Sequence, residues 1–476
     1  MISHAYAPGG FCQSTLIPIP KNKRKSLNDS TNYRAIALSS IMGKLLDRII
    51  LTKCHDVFLT SSFQYGFKKH HSTTQCSFVA NEIINYYEKN GSDVYCILLD
   101  ASQAFDRVYY IKLFEILLNR HVCPLLIRFL LAFYTSQMIC VKWGNKISDH
   151  YSVRNGVKQG GVLSPVLFIM YIDELLVRLS KSKLGCHIGN SFCGALGYAD
   201  DVVLLSPSIT SAKAMLHICS EFASDYNVLF NCSKSKMLCF GKSKYVGQGL
   251  DFMGGIVSII NTDKHLGHPI GRDSNKTSID DAINDLYCKT NMIMSHFSYV
   301  DFDVKYKLFK SFCMPLYGCV LWNYFSRDIQ RFYTAWRKCI RRIIGVPYKT
   351  HCNLLHLIVE DLDISTQLLN RCSKFIKSII DSNNHLSNLC LQLAANGSRS
   401  NLGLTISYMS HAFNIPRYDI YMYGTKPRIS TRGEKSQQLT DTAYVIRDML
   451  NMLHLSDYSL LERNDVVYLL EFLCIK

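Results

Sequence analysis

A chain of 476 residues is too long for one small core and predicts two to four domains or subdomains. At 48% hydrophobic and 19% charged it reads as folded rather than disordered, and a formal net charge of +16 favours a polyanionic partner, either nucleic acid or an anionic membrane surface. The 19 cysteines contain no Cys-x-x-Cys pair and no Cys/His cluster at zinc-ligand spacing, which excludes a zinc knuckle and leaves buried or free thiols in a reducing compartment.

Met1–Gln13 is polar and lacks the basic start and apolar core of a signal peptide. Ser14–Pro20 is strand-like, and the basic loop Lys21, Lys23, Arg24 and Lys25 follows it. Tyr33–Ser40 leads into a helix expected from Ile41 to about Phe58. The basic turn Lys68-Lys69-His70-His71 precedes a helix over about Ser72–Tyr87. Val94–Leu99 is a short apolar run, best read as a buried strand ending at Asp100, and Phe105–Asn119 is helical by period. The longest apolar stretch, Leu125–Tyr134, contains Arg128 and is too short to span a bilayer, so a soluble intracellular protein without membrane contact is the expectation. Ile139–Trp143 and Tyr151–Val153 flank Gly144-Asn145, a hairpin signal. Gly156–Leu163 is a Gly-rich turn entering a helix over Pro165–Leu179, and Ala195–Ser206 reads as a hairpin tipped by Asp200-Asp201. Ala212–Tyr226 is a predicted helix and Lys236–Phe240 a predicted strand. Strand signals thin out beyond about residue 275, which places a boundary near Gly267–Ser274 with mostly helical chain after it.

The carboxylates carry the chemistry. Asp100 ends an apolar strand, where an unpaired carboxylate is costly to bury, although a helix N-cap is an equal reading of it alone. Asp200 and Asp201 are adjacent like charges between apolar flanks, an arrangement that divalent cations relieve. A lone Asp-Asp is more often a solvated turn. A third aspartate at another strand end, in a basic chain with a Gly-rich turn between them, favours a two-metal site for phosphoryl or nucleotidyl transfer.

Three segments then resemble palm motifs A, B and C of reverse transcriptases: Leu98-Leu99-Asp100-Ala101-Ser102-Gln103-Ala104-Phe105-Asp106, Asn155-Gly156-Val157-Lys158-Gln159-Gly160-Gly161-Val162-Leu163-Ser164-Pro165, and Tyr198-Ala199-Asp200-Asp201. Asn231-Cys232-Ser233-Lys234 resembles motif D and His265-Leu266-Gly267 the primer-grip motif E. Asn32-Tyr33-Arg34-Ala35-Ile36 and Gln64-Tyr65-Gly66-Phe67-Lys68 resemble the fingers motifs. The wording is similar to non-LTR (LINE-type, jockey-like) retrotransposon enzymes over about residues 14–272.

The resemblance implies an α+β right-hand polymerase fold, with fingers over 1–92, palm over 93–272, helical thumb over 273–360 and a helical C-terminal region over 361–476. It implies RNA-directed DNA synthesis from dNTPs on an RNA template with a DNA primer. Asp100 and Asp200 would ligate a pair of Mg²⁺ ions (Mn²⁺ as a substitute), with Asp201 in support and the Ala101 carbonyl completing one coordination sphere. Phe105 would be an aromatic gate against the nucleotide 2′-hydroxyl, although an apolar core residue is its plain alternative. Gln159 and Gly160 would line the nucleotide pocket. Arg34 and Lys68 or Lys69 would grip the triphosphate, although Lys68 stands where the family often has Arg, and Ala35 replaces a usual proline. Lys234, with Lys236 as a rival, would protonate the leaving pyrophosphate.

In Gln330–Ile344, Phe332, Trp336, Cys339, Ile340 and Ile343 share one helical face, and Arg331, Arg337, Lys338, Arg341 and Arg342 occupy the remainder. A thumb helix riding on phosphates and a solvated basic face are the two readings. The resemblance further predicts a fragment of an element lacking its endonuclease, with nuclear action. The alternatives are an inactive or domesticated RNA-binding remnant, and an RNA-dependent RNA polymerase, which Phe105 disfavours.

Overall fold

The computed structural model describes residues 1–242, 247 and 249–413. The chain forms two compact units, which divide between Asn261 and Thr262. The part of the predicted C-terminal region beyond residue 413 lies outside the described residues.

In the first unit, β1 (Gln13–Pro20) pairs antiparallel with β2 (Tyr33–Ser39) from Ser14 to Pro20. On its other edge only Gln13–Leu16 pairs, in parallel, with a later strand. Pro18 and Pro20 therefore fall where that edge needs no backbone donor. Helix α1 (Ile41–Lys53) follows, capped by the Ser40 hydroxyl on the Gly43 N–H. It stops short of the predicted end, and His55–Phe58 is a separate single turn. Helix α2 (Thr73–Lys89) is capped by Ser72 and largely buried.

β3 (Val94–Asp100) is buried along nearly its whole length, as its unbroken apolar run requires. The expected continuous helix from Phe105 is instead a short 3-10 turn, Phe105–Arg107, then a break, then α3 (Tyr110–Asn119). The break has a cause: the Phe105 and Val108 carbonyls accept from the N–H groups of Val157 and Gly156, at 2.8 and 2.9 Å, and so do not serve a helix. Next come α4 (Pro124–Thr135) and β4 (Met138–Trp143), the parallel partner of β1. The hairpin at Gly144 closes on Lys146–Ile147, and Tyr151–Ser152 pairs with the start of β4. Helix α5 (Ser164–Lys181) buries Leu167, Phe168, Met170, Tyr171 and Leu175.

β5 (Ala195–Tyr198), β6 (Asp201–Ser206), α6 (Ile209–Asp225), β7 (Lys236–Phe240), β8 (Leu250–Phe252) and β9 (Gly255–Ile260) complete the unit. The six-stranded sheet runs β8-β9-β7-β3-β6-β5, with β3 central and antiparallel to both neighbours. Helices α2, α5 and α6 pack against it.

The second unit opens on a hairpin, β10 (Thr262–His265) and β11 (His268–Gly271), whose Leu266 and Gly267 both have positive φ (+51° and +81°). β11 packs against α7 (Ser274–His296). The remainder is helical: α8 (Phe302–Phe312), α9 (Arg327–Ile344), α10 (Cys352–Ile358), α11 (Ile364–Asp381), α12 (His385–Ala395) and α13 (Asn401–Phe413). α9 buries Phe332, Trp336, Cys339, Ile340 and Ile343, the face its periodicity predicts. Among the described residues every cysteine is a free thiol, and no helix is long and apolar enough to cross a membrane.

Candidate active site

Antiparallel register brings the aspartates together. Asp201 opens β6 directly opposite Asp100, the last residue of β3, and also faces Tyr198 across the hairpin. The turn residues are thus Ala199 and Asp200, not Asp200 and Asp201 as the sequence suggests. Ala199 takes the left-handed conformation (φ +57°) that a two-residue hairpin requires. A non-glycine residue is held there by fully buried Gln64, whose Oε1 accepts from the Ala199 N–H at 3.0 Å and the Gly66 N–H at 2.8 Å. Tyr65 N–H also donates to the Gly197 carbonyl, and Gly197 N–H to that of Phe63. A Cβ at Gly66 would lie 2.5 Å from the Ala199 nitrogen, so only glycine fits.

The local electrostatics are strained by like charge. Burial, then Asp200, then Asp100 push the Asp201 carboxyl up to about 6. Burial and Asp100 also raise Asp200, against the opposing pull of Arg34 and Lys234. Asp100 Oδ2 holds Lys234 Nζ at 3.2 Å. The Asn231–Ser235 turn supports this pair: Asn231 N–H donates to the Asp100 carbonyl, and Ser235 Oγ accepts from the Asp100 N–H. Lys236, the rival general acid, is engaged elsewhere, on the Ser233 carbonyl (2.7 Å) and Ser258 Oγ (3.0 Å).

The donor set fits a hard divalent cation: oxygen ligands only, two of them raised in pKa by burial first and by neighbouring carboxylates second. Among the described residues, no three acidic, histidine or cysteine side chains already converge as a metal cluster. Lys234 holds the positive charge beside Asp100 in this state.

The nucleotide-side residues lie on neighbouring segments. Phe105 stacks on Phe168 (centroids 4.3 Å apart, 21°), and exposed Phe67 meets its edge at 6.3 Å. The Phe105 carbonyl accepts from Val157 N–H, which ties this segment to the Gly-rich turn. The Gln159 carbonyl accepts from Ala37 N–H at 2.7 Å, and Gly160 (φ +114°) approaches β2 so closely that a Cβ would lie 2.6 Å from the Ala37 carbonyl oxygen. Arg34, on the same β2 strand, is close enough to oppose the rise of the Asp200 carboxyl. Lys68 donates to the Ser61 carbonyl at 2.9 Å, and burial lowers its ammonium despite nearby Asp173. Lys69 is exposed.

Two residues that organise the site have no role assigned from the sequence. Gln64 is one, although it opens a fingers motif. The other is buried Asp47 on α1, whose Oδ2 accepts from the N–H groups of Val162 and Leu163 at 3.2 and 3.3 Å. The α5 N-cap is Leu163, which has no side-chain acceptor, so Asp47 supplies the cap from another helix. The signal was present: Asp47 sits between Gly43 and Ile50 on the buried stripe of α1, where an acid has to satisfy something. Lys158 nearby donates to Ser14 Oγ at 2.7 Å, and burial pushes its ammonium down to about 8.

In the second unit, the basic residues of α9 have unequal surroundings. Arg341 donates from Nη2 to the Thr350 carbonyl at 2.7 Å, and Arg342 reaches Asn291 Oδ1 at 2.6 Å. Arg331 pairs with Asp280 at 2.8 Å. Lys338 is exposed and Arg337 half-buried.

The family model described as reverse transcriptase (RNA-dependent DNA polymerase) matches residues 19–268, a little over half of the chain. The RNA-directed DNA polymerase of transposon X-element from Drosophila melanogaster is 25% identical over 366 residues, covering 72% of this chain and 38% of its own length. That of mobile element jockey from Drosophila funebris is 26% identical over 365 residues, covering 72% of this chain and 39% of its own length. The chain spans about two fifths of the length of these curated relatives. Among solved structures, apo telomerase from Candida tropicalis aligns over 89% of this chain and 71% of that one at 11% identity, with a TM-score of 0.40.

Proposed function

The chain belongs to the reverse transcriptase (RNA-dependent DNA polymerase) family, and from that premise we propose that it adds deoxynucleotides to a DNA primer 3′-hydroxyl on an RNA template. The observation that carries this reading is the register of β3 and β6, which sets Asp201 opposite Asp100 with Asp200 in the adjoining turn. Asp100 and Asp200 would hold Mg²⁺, with Mn²⁺ as a substitute, supported by Asp201 and the Ala101 carbonyl. Bound there, such cations supply Lewis acidity toward the primer hydroxyl and neutralise charge on the triphosphate.

The chain's own residues do the rest. Phe105, held by Phe168 and Val157, offers no hydrogen-bond partner to a ribose 2′-hydroxyl and so favours dNTPs. The Gln159-Gly160 backbone permits close approach of the nucleotide. Arg34 supplies a fork-shaped donor set for phosphate oxygens, and Lys68 and Lys69 add positive charge on that side. Lys234, whose Nζ lies 3.2 Å from Asp100 Oδ2, would carry the proton for the leaving pyrophosphate. Fingers over 1–92 and palm over 93–272 carry these groups. The helical thumb, 273–360, would follow phosphates through exposed Lys338 and half-buried Arg337 of α9, while Arg341 and Arg342 are engaged by Thr350 and Asn291. As in a retroelement enzyme, the place of action is the nucleus.

The test is extension of a DNA primer on an RNA template with Mg²⁺ and dNTPs. Incorporation that disappears in an Asp200→Ala/Asp201→Ala double variant supports the reading. Undiminished incorporation in that variant refutes the mechanism, and salt-sensitive RNA binding with no incorporation by the parent marks a binding remnant instead.

A further inference from the structure

The helical unit holds a cavity of about 330 Å³ that the polymerase chemistry does not use. It lies where the start of α9, the start of α11 and the middle of α13 come together. Its inner wall is Tyr324 and Tyr333, both buried. The Tyr324 ring is fixed, since its hydroxyl donates to the Cys319 carbonyl at 3.1 Å. Its mouth is formed by Phe325 and Tyr408, which are 54% and 40% exposed and meet edge to face at 5.4 Å. Arg327 and Gln330, both exposed, stand on the first turn of α9 at the rim.

These features select a ligand. The volume is at the lower end of small-ligand cavities and suits one nucleotide rather than a helix or a folded partner. The lining is rich in aromatic rings, and the two at the mouth are exposed enough to offer a flat apolar face to a purine or pyrimidine. The rim is polar: Gln330 carries both a donor and an acceptor for a base edge, and the Arg327 guanidinium suits a phosphate. A base inside a duplex already has both faces stacked and cannot enter, so the occupant is an unpaired base. The formal charge of +16 on the whole chain points to the same polyanion.

We propose that this cleft docks one unpaired base of single-stranded RNA, stacked on the exposed face of one of the two mouth rings, Phe325 or Tyr408, with the other ring bracing it, and with Arg327 as its phosphate partner. The inference rests on the proposed function only for the identity of the strand as RNA. It concerns capture of a strand by the helical unit and not the chemistry at Asp100 and Asp200.

The test uses the full chain and a short single-stranded RNA in which 2-aminopurine replaces every adenine, since stacking on an aromatic ring quenches its fluorescence. The parent is expected to quench the RNA, and a Phe325→Ala/Tyr408→Ala variant to lose part of that quenching and about tenfold in affinity. Tyr408→Phe, which keeps the ring, should behave as the parent. Both mouth rings are well exposed, and equal melting temperatures check that the double variant folds. Arg327→Gln should lower the salt dependence of binding, whereas the aromatic changes should leave it unaltered. An abasic oligonucleotide should bind the parent and the double variant alike. Equal quenching by parent and double variant overturns the proposal, as does quenching of the free nucleotide but not of the RNA. Primer extension measured in parallel separates the two readings. Extension intact with no pocket-dependent quenching defeats the pocket alone. Pocket-dependent quenching without extension defeats the polymerase reading alone.

Discussion

The two units use charge in opposite ways. At the tip of β3 and β6 the first unit gathers three like charges, and burial together with the neighbouring carboxylates raises two of them. Along α9 the second unit spreads cations, and several already have a partner: Arg341 on Thr350, Arg342 on Asn291, Arg331 on Asp280. The first arrangement is held by backbone register and by buried Gln64, so the repulsion persists until a cation relieves it. The second has relaxed into hydrogen bonds. The contrast shows that clustered charge implies a ligand only where the fold prevents the charges from satisfying themselves.

The largest effect should come from breaking the frustrated cluster. Asp200→Asn should lower incorporation by about a thousandfold or more, because electrostatic stabilisation in such sites contributes at that scale. The same change should leave the metal-free protein as stable as the parent, or more so, in urea unfolding, since it removes a repelled charge. Incorporation within tenfold of the parent would remove Asp200 from the mechanism.

Next in size is protonation in the second unit. Burial pushes both His265 and His268 down to about 4, and His268 adds to the effect on His265. Between pH 4 and the ordinary histidine range near 6.5, the unfolded chain binds more protons than the folded one, so stability rises with pH across that window. Thermal melts should therefore show this unit losing up to about 3 kcal/mol for each histidine as pH falls from 7 to 4. A His265→Gln/His268→Gln variant should show a flatter profile, and an unchanged one would refute the assignment.

Asp47→Ala should cost about 1–2 kcal/mol, the usual effect of losing a cap. It should also raise KM for dNTP more than it lowers kcat, because the capped N–H groups directly follow Gln159-Gly160. A uniform loss of kcat without a KM change would make Asp47 structural only. The smallest effects compare two cations on one helix. Arg341→Gln should lower stability by about 1 kcal/mol, from its bonds to Thr350. Lys338→Gln should leave stability unchanged and reduce the salt slope of RNA binding by about 1. The reverse pattern would exchange their roles.

Much of the site was legible because it is local. Asp100 at the end of an apolar run, the adjacent Asp200 and Asp201, and the buried face of α9 each follow from residues near one another in the chain. Period and polarity report such neighbours directly. The helix expected from Phe105 failed because its carbonyls bond to Val157 and Gly156, about fifty residues away. No local propensity records a partner at that distance.

By itself, then, the sequence determined which residue types end which strands, and that three carboxylates had to be accommodated in a basic chain. Tertiary structure alone decided that Asp201 faces Asp100 and Asp200 occupies the turn. It also decided that Lys234 rather than Lys236 reaches the site, and that Gln64 and Asp47 hold the loops around it. The physical reason is that strand register and buried hydrogen bonds are satisfied between segments remote in the chain, and each choice depends on where the other partner has come to rest.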